Sequence, residues 1–114
     1  VTFSGERIVN TGLSKTGCPY VWGSTGPNSF DCSGFTQWVY RQNGIYIPRT
    51  SSEQKAAAKK VVSLSELEVG DILWRSGHVG IYIGNGRYVH APHTGDVVKV
   101  SSGVGKFTCG LRYQ

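Results

Sequence analysis

The stretch HVGIYIGNGRYVHAP, residues 78–92, decides the fold because it places a turn signal between two alternating patterns. Valine and isoleucine alternate with histidine, glycine and tyrosine before Asn85-Gly86, and valine and alanine alternate with tyrosine and histidine after it. Such alternation is typical of half-buried strands, and Asn-Gly is a preferred pair for a tight turn. The stretch therefore predicts a β-hairpin with one apolar face.

The register of this hairpin follows from burying its apolar side chains on one face. A three-residue loop, Gly84–Gly86, pairs Ile83 with Arg87 and Ile81 with Val89, whereas a two-residue loop mixes polar and apolar side chains on each face. A slip of one residue turns every side chain over, and each buried methylene is worth about 0.8 kcal/mol, so burial outweighs the turn preference. We therefore predict the three-residue loop. The apolar face then consists of Val79, Ile81, Ile83, Val89 and Ala91.

Two histidines fall together on the other, less apolar face of the predicted hairpin. His90 lies opposite Gly80, which has no side chain, and is therefore diagonal to His78 at about 7–8 Å between backbones. At this separation the two imidazoles can hydrogen-bond to each other or share a ligand. His93 is a rival partner for His78, but it follows Pro92 on the apolar face, so we rank it below His90.

FDCSGFTQWVY, residues 30–40, places a cysteine where a helix begins. Asp31 is suited to cap this helix, and a thiol at a helix N-terminus feels free N–H groups and the positive end of the dipole. Both effects favour the reactive thiolate, although the charge of Asp31 opposes it. With an imidazole nearby, Cys32 becomes a candidate nucleophile, His78 its base, and His90 the residue that orients His78.

The remaining pattern predicts helices first and strands afterwards. The helices span residues 4–14, 32–43 and 50–60, and the strands lie in VGDILWR, HVGIYIG, GRYVHAP, DVVKVSS and CGLRYQ. This order favours an α+β fold in which N-terminal helices pack on a C-terminal antiparallel sheet.

The composition fits one domain spanning residues 1–114, with a net charge of +5. This charge favours anionic neighbours, namely nucleic acid, acidic wall polymers or lipid headgroups, or serves solubility alone. No basic-aromatic motif indicates nucleic acid as a partner. No run of eighteen apolar residues predicts a membrane-spanning helix. Because the chain begins at Val1, has no methionine and has no visible signal peptide, we expect a piece excised from a longer protein. We expect a monomer.

Three cysteines leave a pairing question open. If Cys32 is a working thiol, Cys18 and Cys109 remain as a candidate disulfide, which the sequence neither requires nor excludes. Cys32 with the two histidines could instead bind zinc, but no close pair such as CxxC or HxxxH is present. We therefore predict no metal and no cofactor, and keep zinc as the alternative.

Four segments together resemble the NlpC-type cell-wall cysteine peptidases, in order and spacing. They are GCPYVWGSTGPNSFDCSGFTQWVY, IPRTSSEQ, VGDILWR and GHVGIYIGNGRYVHAP, and the similarity extends over residues 9–100. The resemblance implies a papain-like fold and a single catalytic domain, secreted or located at the cell wall. It also implies hydrolysis of bacterial peptidoglycan stem peptides, typically between D-γ-glutamate and a diamino acid.

The resemblance also assigns roles to individual residues. Cys32 matches the nucleophile, His78 the base and His90 the orienting residue, as the residue patterns predict. Substrate-binding positions beside them are matched by Tyr20, Asp31, Ser33 and Gly77. Two alternatives remain open: a related thiol amidase or acyltransferase on the same scaffold, or a non-catalytic module that binds the cell wall.

Overall fold

The computed structural model describes residues 4–113 and has the predicted order of helices followed by a sheet. The helices are α1 (Gly5–Leu13), α2 (Cys32–Gln42) and α3 (Ser51–Ala57). The strands are β1 (Lys60–Val62), β2 (Ile72–Arg75), β3 (His78–Gly84), β4 (Arg87–His90), β5 (Lys99–Ser102) and β6 (Cys109–Arg112). Short 3₁₀ helices span Leu64–Glu66 and Val104–Lys106. Across residues 4–113, no helix is both long and apolar enough to cross a membrane.

The strands form one antiparallel sheet in the order β1-β6-β2-β3-β4-β5. The α+β prediction is therefore confirmed. The third helix ends at Ala57 rather than near the predicted Lys60, because the chain there enters β1, which pairs with β6. That three-residue strand was not predicted, since its stability comes from a partner at the far end of the chain.

The main core lies between the helices and one face of the sheet. Residues of α2 and of the hairpin strands contribute fully buried side chains to it, including Phe35, Val39, Tyr40, Val79, Ile81, Val89 and Ala91. Four of these belong to the predicted apolar face of the hairpin. Their burial fixes the orientation of β3 and β4, and so determines where the side chains of the opposite face lie.

The hairpin turn differs from the prediction. Gly84 pairs with Arg87, so the loop consists of two residues, Asn85 and Gly86, with φ angles of 55° and 73°. Positive φ at both positions is the geometry that Asn-Gly favours. The predicted three-residue loop, with Ile83 opposite Arg87, is therefore wrong.

The predicted core register is nevertheless correct, because a β-bulge absorbs the extra residue. Tyr82 pairs with Tyr88 and Ile81 with Val89, and the register shifts between Tyr82 and Gly84. A bulge adds one residue to one strand without changing the pairing beyond it. The hairpin thus satisfies both the turn preference and the burial of its aliphatic side chains.

The second face of the sheet, which carries His78 and His90, has a small core of its own. Leu73, Tyr88 and Phe107 are buried there, and each of the two histidines is 7% exposed. The alternation within the hairpin did not predict this cover, because Phe107 comes from a segment that follows β5. The histidines therefore lie in a more enclosed environment than the sequence suggests.

A buried ion pair joins the last strand to the start of β2. Arg112 donates to both carboxylate oxygens of Asp71, from Nε at 3.0 Å and from Nη2 at 2.7 Å. The Asp71 side chain is 1% exposed and that of Arg112 is 9% exposed. Paired charges at this depth hold the two strands in one alignment, since removal of either partner leaves an uncompensated charge.

Candidate active site

Cys32 is the first residue of α2, as the sequence predicts. Asp31 caps the helix: its Oδ1 accepts a hydrogen bond from the N–H of Gly34 at 2.7 Å. Close packing explains the glycine, because a Cβ at Gly34 would lie 2.3 Å from the carbonyl oxygen of Ser24. The loop before the helix and the first helical turn thus hold the cysteine in place.

The sulfur of Cys32 lies beside the start of β3. Its Sγ is 4.0 Å from the carbonyl oxygen of Gly77, and the N–H of Val79 also donates to the sulfur. These two residues flank His78 in the chain. The thiol and the first histidine of the hairpin therefore lie at the same end of the sheet.

The two histidines are in direct contact. Nε2 of His78 is 2.8 Å from Nδ1 of His90, which is hydrogen-bond distance, and the rings meet at 70°. The absence of a side chain at Gly80 permits this contact, since a Cβ there would lie 3.2 Å from the Cβ of His90. The predicted meeting of the two imidazoles across Gly80 is confirmed. Because Nε2 of His78 faces His90, Nδ1 is the ring nitrogen that points away from this contact.

Burial keeps both imidazoles neutral. The Phe107 ring stacks on His78 with centroids 5.9 Å apart, and the Tyr88 ring contacts His90 at 4.7 Å. Loss of solvent lowers the pKa of His78 to about 4, with the positive charge of Arg75 as the next cause. Burial, followed by the charge of His78, lowers the pKa of His90 to about 4. At neutral pH the His78 ring is therefore uncharged.

The surroundings of Cys32 favour the thiol over the thiolate, contrary to the expectation from its helix position. Burial raises the pKa of Cys32, and the charge of Asp31 raises it further, while the N–H of Val79 lowers it. Desolvation of a charge outweighs the helix dipole at this half-buried site. The resting pair is thus thiol and imidazole, and the thiolate forms when a base removes the proton.

Arg49 connects two of the predicted cleft residues, although the sequence did not single it out. Its Nη2 lies 2.7 Å from Oδ2 of Asp31, and its Nη1 donates to Oγ of Ser33 at 2.9 Å. The N–H of Gly23 donates to the same Asp31 oxygen at 3.0 Å. The available signal was the arginine in IPRT, just before the cap of α3. Arg49 offsets the carboxylate charge that lies next to Cys32.

A cleft of about 430 Å³ opens over the sulfur of Cys32. All four predicted substrate-binding residues line it, namely Tyr20, Asp31, Ser33 and Gly77. Tyr20 lines the cleft together with Cys32, and burial raises the pKa of its phenol. Trp22 also lines the cleft and is 83% exposed.

Most of the sequence matches a known family. The NlpC/P60 family profile covers residues 17–108, which include the cysteine, both histidines and Ser101 of β5. The chain belongs to the NlpC/P60 family. The family resemblance predicted from the motifs is therefore confirmed.

Individual relatives of this NlpC/P60 domain carry peptidase names. A probable endopeptidase of Corynebacterium glutamicum is 53% identical over 91 residues, which are 77% of this chain and 43% of that protein. The gamma-D-glutamyl-L-lysine dipeptidyl-peptidase of Bacillus subtilis is 38% identical over 105 residues, 85% of this chain and 35% of that protein. The chain thus spans less than half the length of these two relatives.

Solved structures agree in fold with this NlpC/P60 domain. The NlpC/p60 domain of the peptidoglycan hydrolase SagA is 40% identical with a TM-score of 0.85, covering 96% of this chain and 98% of that one. An NlpC/P60 family protein from Bacillus cereus is 32% identical with a TM-score of 0.89, covering 99% of this chain and 41% of that one.

Three other candidate residues of the NlpC/P60 domain lie apart from the cleft lining. His93 has a 73% exposed side chain and lies 3.5 Å from Asp96, so its predicted place on the apolar face is wrong. Cys18 and Cys109 are both free thiols, so the candidate disulfide is not formed. Within residues 4–113, no three His, Cys, Asp or Glu side chains form a group able to hold a metal ion.

Proposed function

We propose that this NlpC/P60 domain is a cysteine endopeptidase that cleaves peptidoglycan stem peptides between D-γ-glutamate and the diamino acid. The observation that carries the proposal is the half-buried thiol of Cys32 at the base of an open cleft, next to the hydrogen-bonded pair of His78 and His90. The name of the Bacillus subtilis relative, a gamma-D-glutamyl-L-lysine dipeptidyl-peptidase, supports this choice of bond.

The first step is proton transfer followed by attack on the amide. Nδ1 of His78 takes the thiol proton, and the Cys32 thiolate adds to the carbonyl carbon of the scissile bond. The new oxyanion needs donors that are already in position. The N–H of Cys32 begins the helix and has no intrahelical partner, and the hydroxyl of Tyr20 lies close by.

The second half of the reaction returns the enzyme to its resting state. The protonated His78 gives its proton to the departing amine as the carbon–nitrogen bond breaks, which leaves a thioester on Cys32. Neutral His78 then removes a proton from water, which attacks the thioester and releases the carboxylate product and the thiol. In both halves, His90 holds the His78 ring through the 2.8 Å contact and stabilises its charged form.

The cleft walls supply substrate contacts. Tyr20, Asp31 and Ser33 line the cleft with Cys32, and Gly77 leaves open space in it, since a Cβ at Gly77 would meet nothing within 4 Å. Asp31 has two tasks in this proposal, as the cap of α2 and as a charged group of the cleft balanced by Arg49.

The proposed setting is the bacterial cell wall. A secreted, monomeric domain with a net charge of +5 suits a matrix of stem peptides and anionic wall polymers, because the charge attracts polyanions over several ångströms at physiological salt. We propose no nucleic-acid partner and no metal or other cofactor for the reaction.

Digestion of purified muropeptides tests the proposal. We expect mass spectrometry to find new D-γ-glutamate carboxyl ends with the wild-type domain and none with Cys32→Ala. Cys18→Ala is the matched control, since it removes another half-buried thiol and should leave cleavage intact. Release of lactyl-linked sugars would instead favour an amidase. Binding to walls without turnover would favour a wall-binding module, and cleavage by Cys32→Ala would refute the nucleophile.

A further inference from the structure

A serine lies on the far side of the histidine pair from the cysteine. Oγ of Ser101 is 2.9 Å from Nε2 of His90, the ring nitrogen that does not face His78. Ser101 belongs to the edge strand β5 and pairs with Tyr88 of β4, so it is diagonal to His90 on the same face. The sequence predicted a strand here but gave this serine no role.

We propose that Ser101 is a positioning residue whose hydroxyl accepts a hydrogen bond from Nε2–H of His90 and thereby selects the tautomer of His78 that can take the proton of Cys32. The inference rests on the proposed peptidase function and extends its chain of contacts by one residue. Ser101 itself touches neither the substrate nor the sulfur in this scheme.

The number of protons shared by Ser101, His90 and His78 links the tautomers of the two rings. A neutral imidazole carries one N–H, and each hydrogen bond between two rings needs one donor and one acceptor. If Ser101 accepts from Nε2–H of His90, then Nδ1 of His90 is bare and accepts Nε2–H of His78. Nδ1 of His78 is then bare as well, and can receive the thiol proton.

The opposite arrangement disables the base. If Ser101 donated to Nε2 of His90, the proton of His90 would be on Nδ1 and would point at Nε2 of His78. The proton of His78 would then be on Nδ1, the nitrogen needed for Cys32. A serine hydroxyl can donate or accept, so the residue type alone does not choose between the two arrangements.

The reaction favours the arrangement in which Ser101 accepts. Once His78 has taken the thiol proton it carries N–H on both nitrogens, so it must donate to Nδ1 of His90, and the proton of His90 must be on Nε2. Only the arrangement in which Ser101 accepts from Nε2–H of His90 already has the His90 proton on Nε2. No proton then has to move between the rings when His78 becomes charged. The edge position and partial exposure of Ser101 leave its own O–H free to point toward solvent.

Burial first, and the surrounding charges second, keep the series neutral at rest. Arg75 and His93 act on His78, whereas Lys99, Lys106 and Asp96 act on His90. Of these groups, only Asp96 favours a positive charge on the rings. A neutral pair of imidazoles has two possible tautomer patterns. The hydrogen bond of Ser101 to His90 can therefore favour one of them over the other.

Three variants and two measurements test the inference. Long-range proton–nitrogen NMR on ¹⁵N-histidine-labelled protein reads which ring nitrogen carries the proton, and muropeptide cleavage gives kcat and KM. In the wild type we expect both His78 and His90 protonated on Nε2. Ser101→Ala should give mixed tautomers and lower kcat about three- to tenfold with KM unchanged, the loss corresponding to one hydrogen bond.

The matched variants separate positioning from structure. Ser101→Thr keeps the hydroxyl and should restore both the tautomer pattern and kcat. Ser102→Ala removes the neighbouring exposed hydroxyl of the same strand and should behave like the wild type. A wild-type His90 protonated on Nδ1, or Ser101→Ala with unchanged tautomers and kcat, would overturn the inference.

The two readouts also distinguish this inference from the proposed function. The NMR measurement needs no turnover, so it decides the role of Ser101 even if the domain cleaves no muropeptide. If the wild type cleaves and Ser101→Ala is indistinguishable from it in both readouts, the peptidase proposal stands and only the role of Ser101 is lost.

Discussion

The pH dependence of cleavage is the sharpest test of how His78 is buried. Its pKa is lowered to about 4 from an ordinary value of 6.5, chiefly by loss of solvent. Because the unprotonated ring is the base, kcat/KM should rise as the pH rises through about 4 and then level off. At pH 5.5, a group with this pKa is roughly 97% neutral, whereas an ordinary histidine is only roughly 9% neutral.

The assay is kcat/KM for a soluble muropeptide from pH 3.5 to 8, which reports groups of the free enzyme. The value of kcat/KM at pH 5.5 should differ from that at pH 7 by no more than about 10%. Because burial also raises the pKa of Cys32, the difference in thiolate absorbance between wild type and Cys32→Ala should be near zero at pH 7. An acid limb near pH 6.5 would refute the burial argument, and strong thiolate absorbance at pH 7 would refute the thiol–imidazole resting pair.

Two further predictions concern reactivity and stability. His78→Ala should slow iodoacetamide labelling of Cys32 at neutral pH, because the thiol loses the base that ionises it; equal labelling rates would remove His78 from that role. Asp71→Asn should lower the free energy of unfolding by about 3 kcal/mol in urea titrations, since it takes from Arg112 its buried charged partner and leaves only the exposed Glu68. Glu68→Gln, at a 63% exposed site 3.6 Å from the same arginine, should change it by less than about 0.5 kcal/mol, and equal losses in the two variants would contradict the assignment.

The roles of the sequence and of the tertiary structure separate clearly in the hairpin. Alternation of apolar residues was enough to predict that Ile81 opposes Val89, because burying aliphatic groups dominates the energy of a strand pair. Alternation did not predict the turn, where the loop has two residues instead of three. A bulge between Tyr82 and Gly84 removed the conflict between turn and register, and single-strand patterns do not encode such a bulge.

The nucleophile shows a second kind of difference. Its place at the start of α2 could be predicted, because the capping aspartate and the helical spacing are local signals. Its ionisation could not, because burial depends on what covers the sulfur. Segments distant in sequence also supply Arg49 beside Asp31 and Phe107 over His78. Arg49 offsets the charge of Asp31, and Phe107 helps to exclude solvent from His78.

The sequence by itself determined the order of helices and strands, the helix position of Cys32 and the face shared by His78 and His90. These features depend on periodicity and capping, which act over a few residues. Only the tertiary structure decided the protonation of the thiol and the imidazoles, and brought the hydroxyl of Ser101 to His90. The physical reason is that solvent exclusion and hydrogen bonds between strands depend on neighbours far away in the chain.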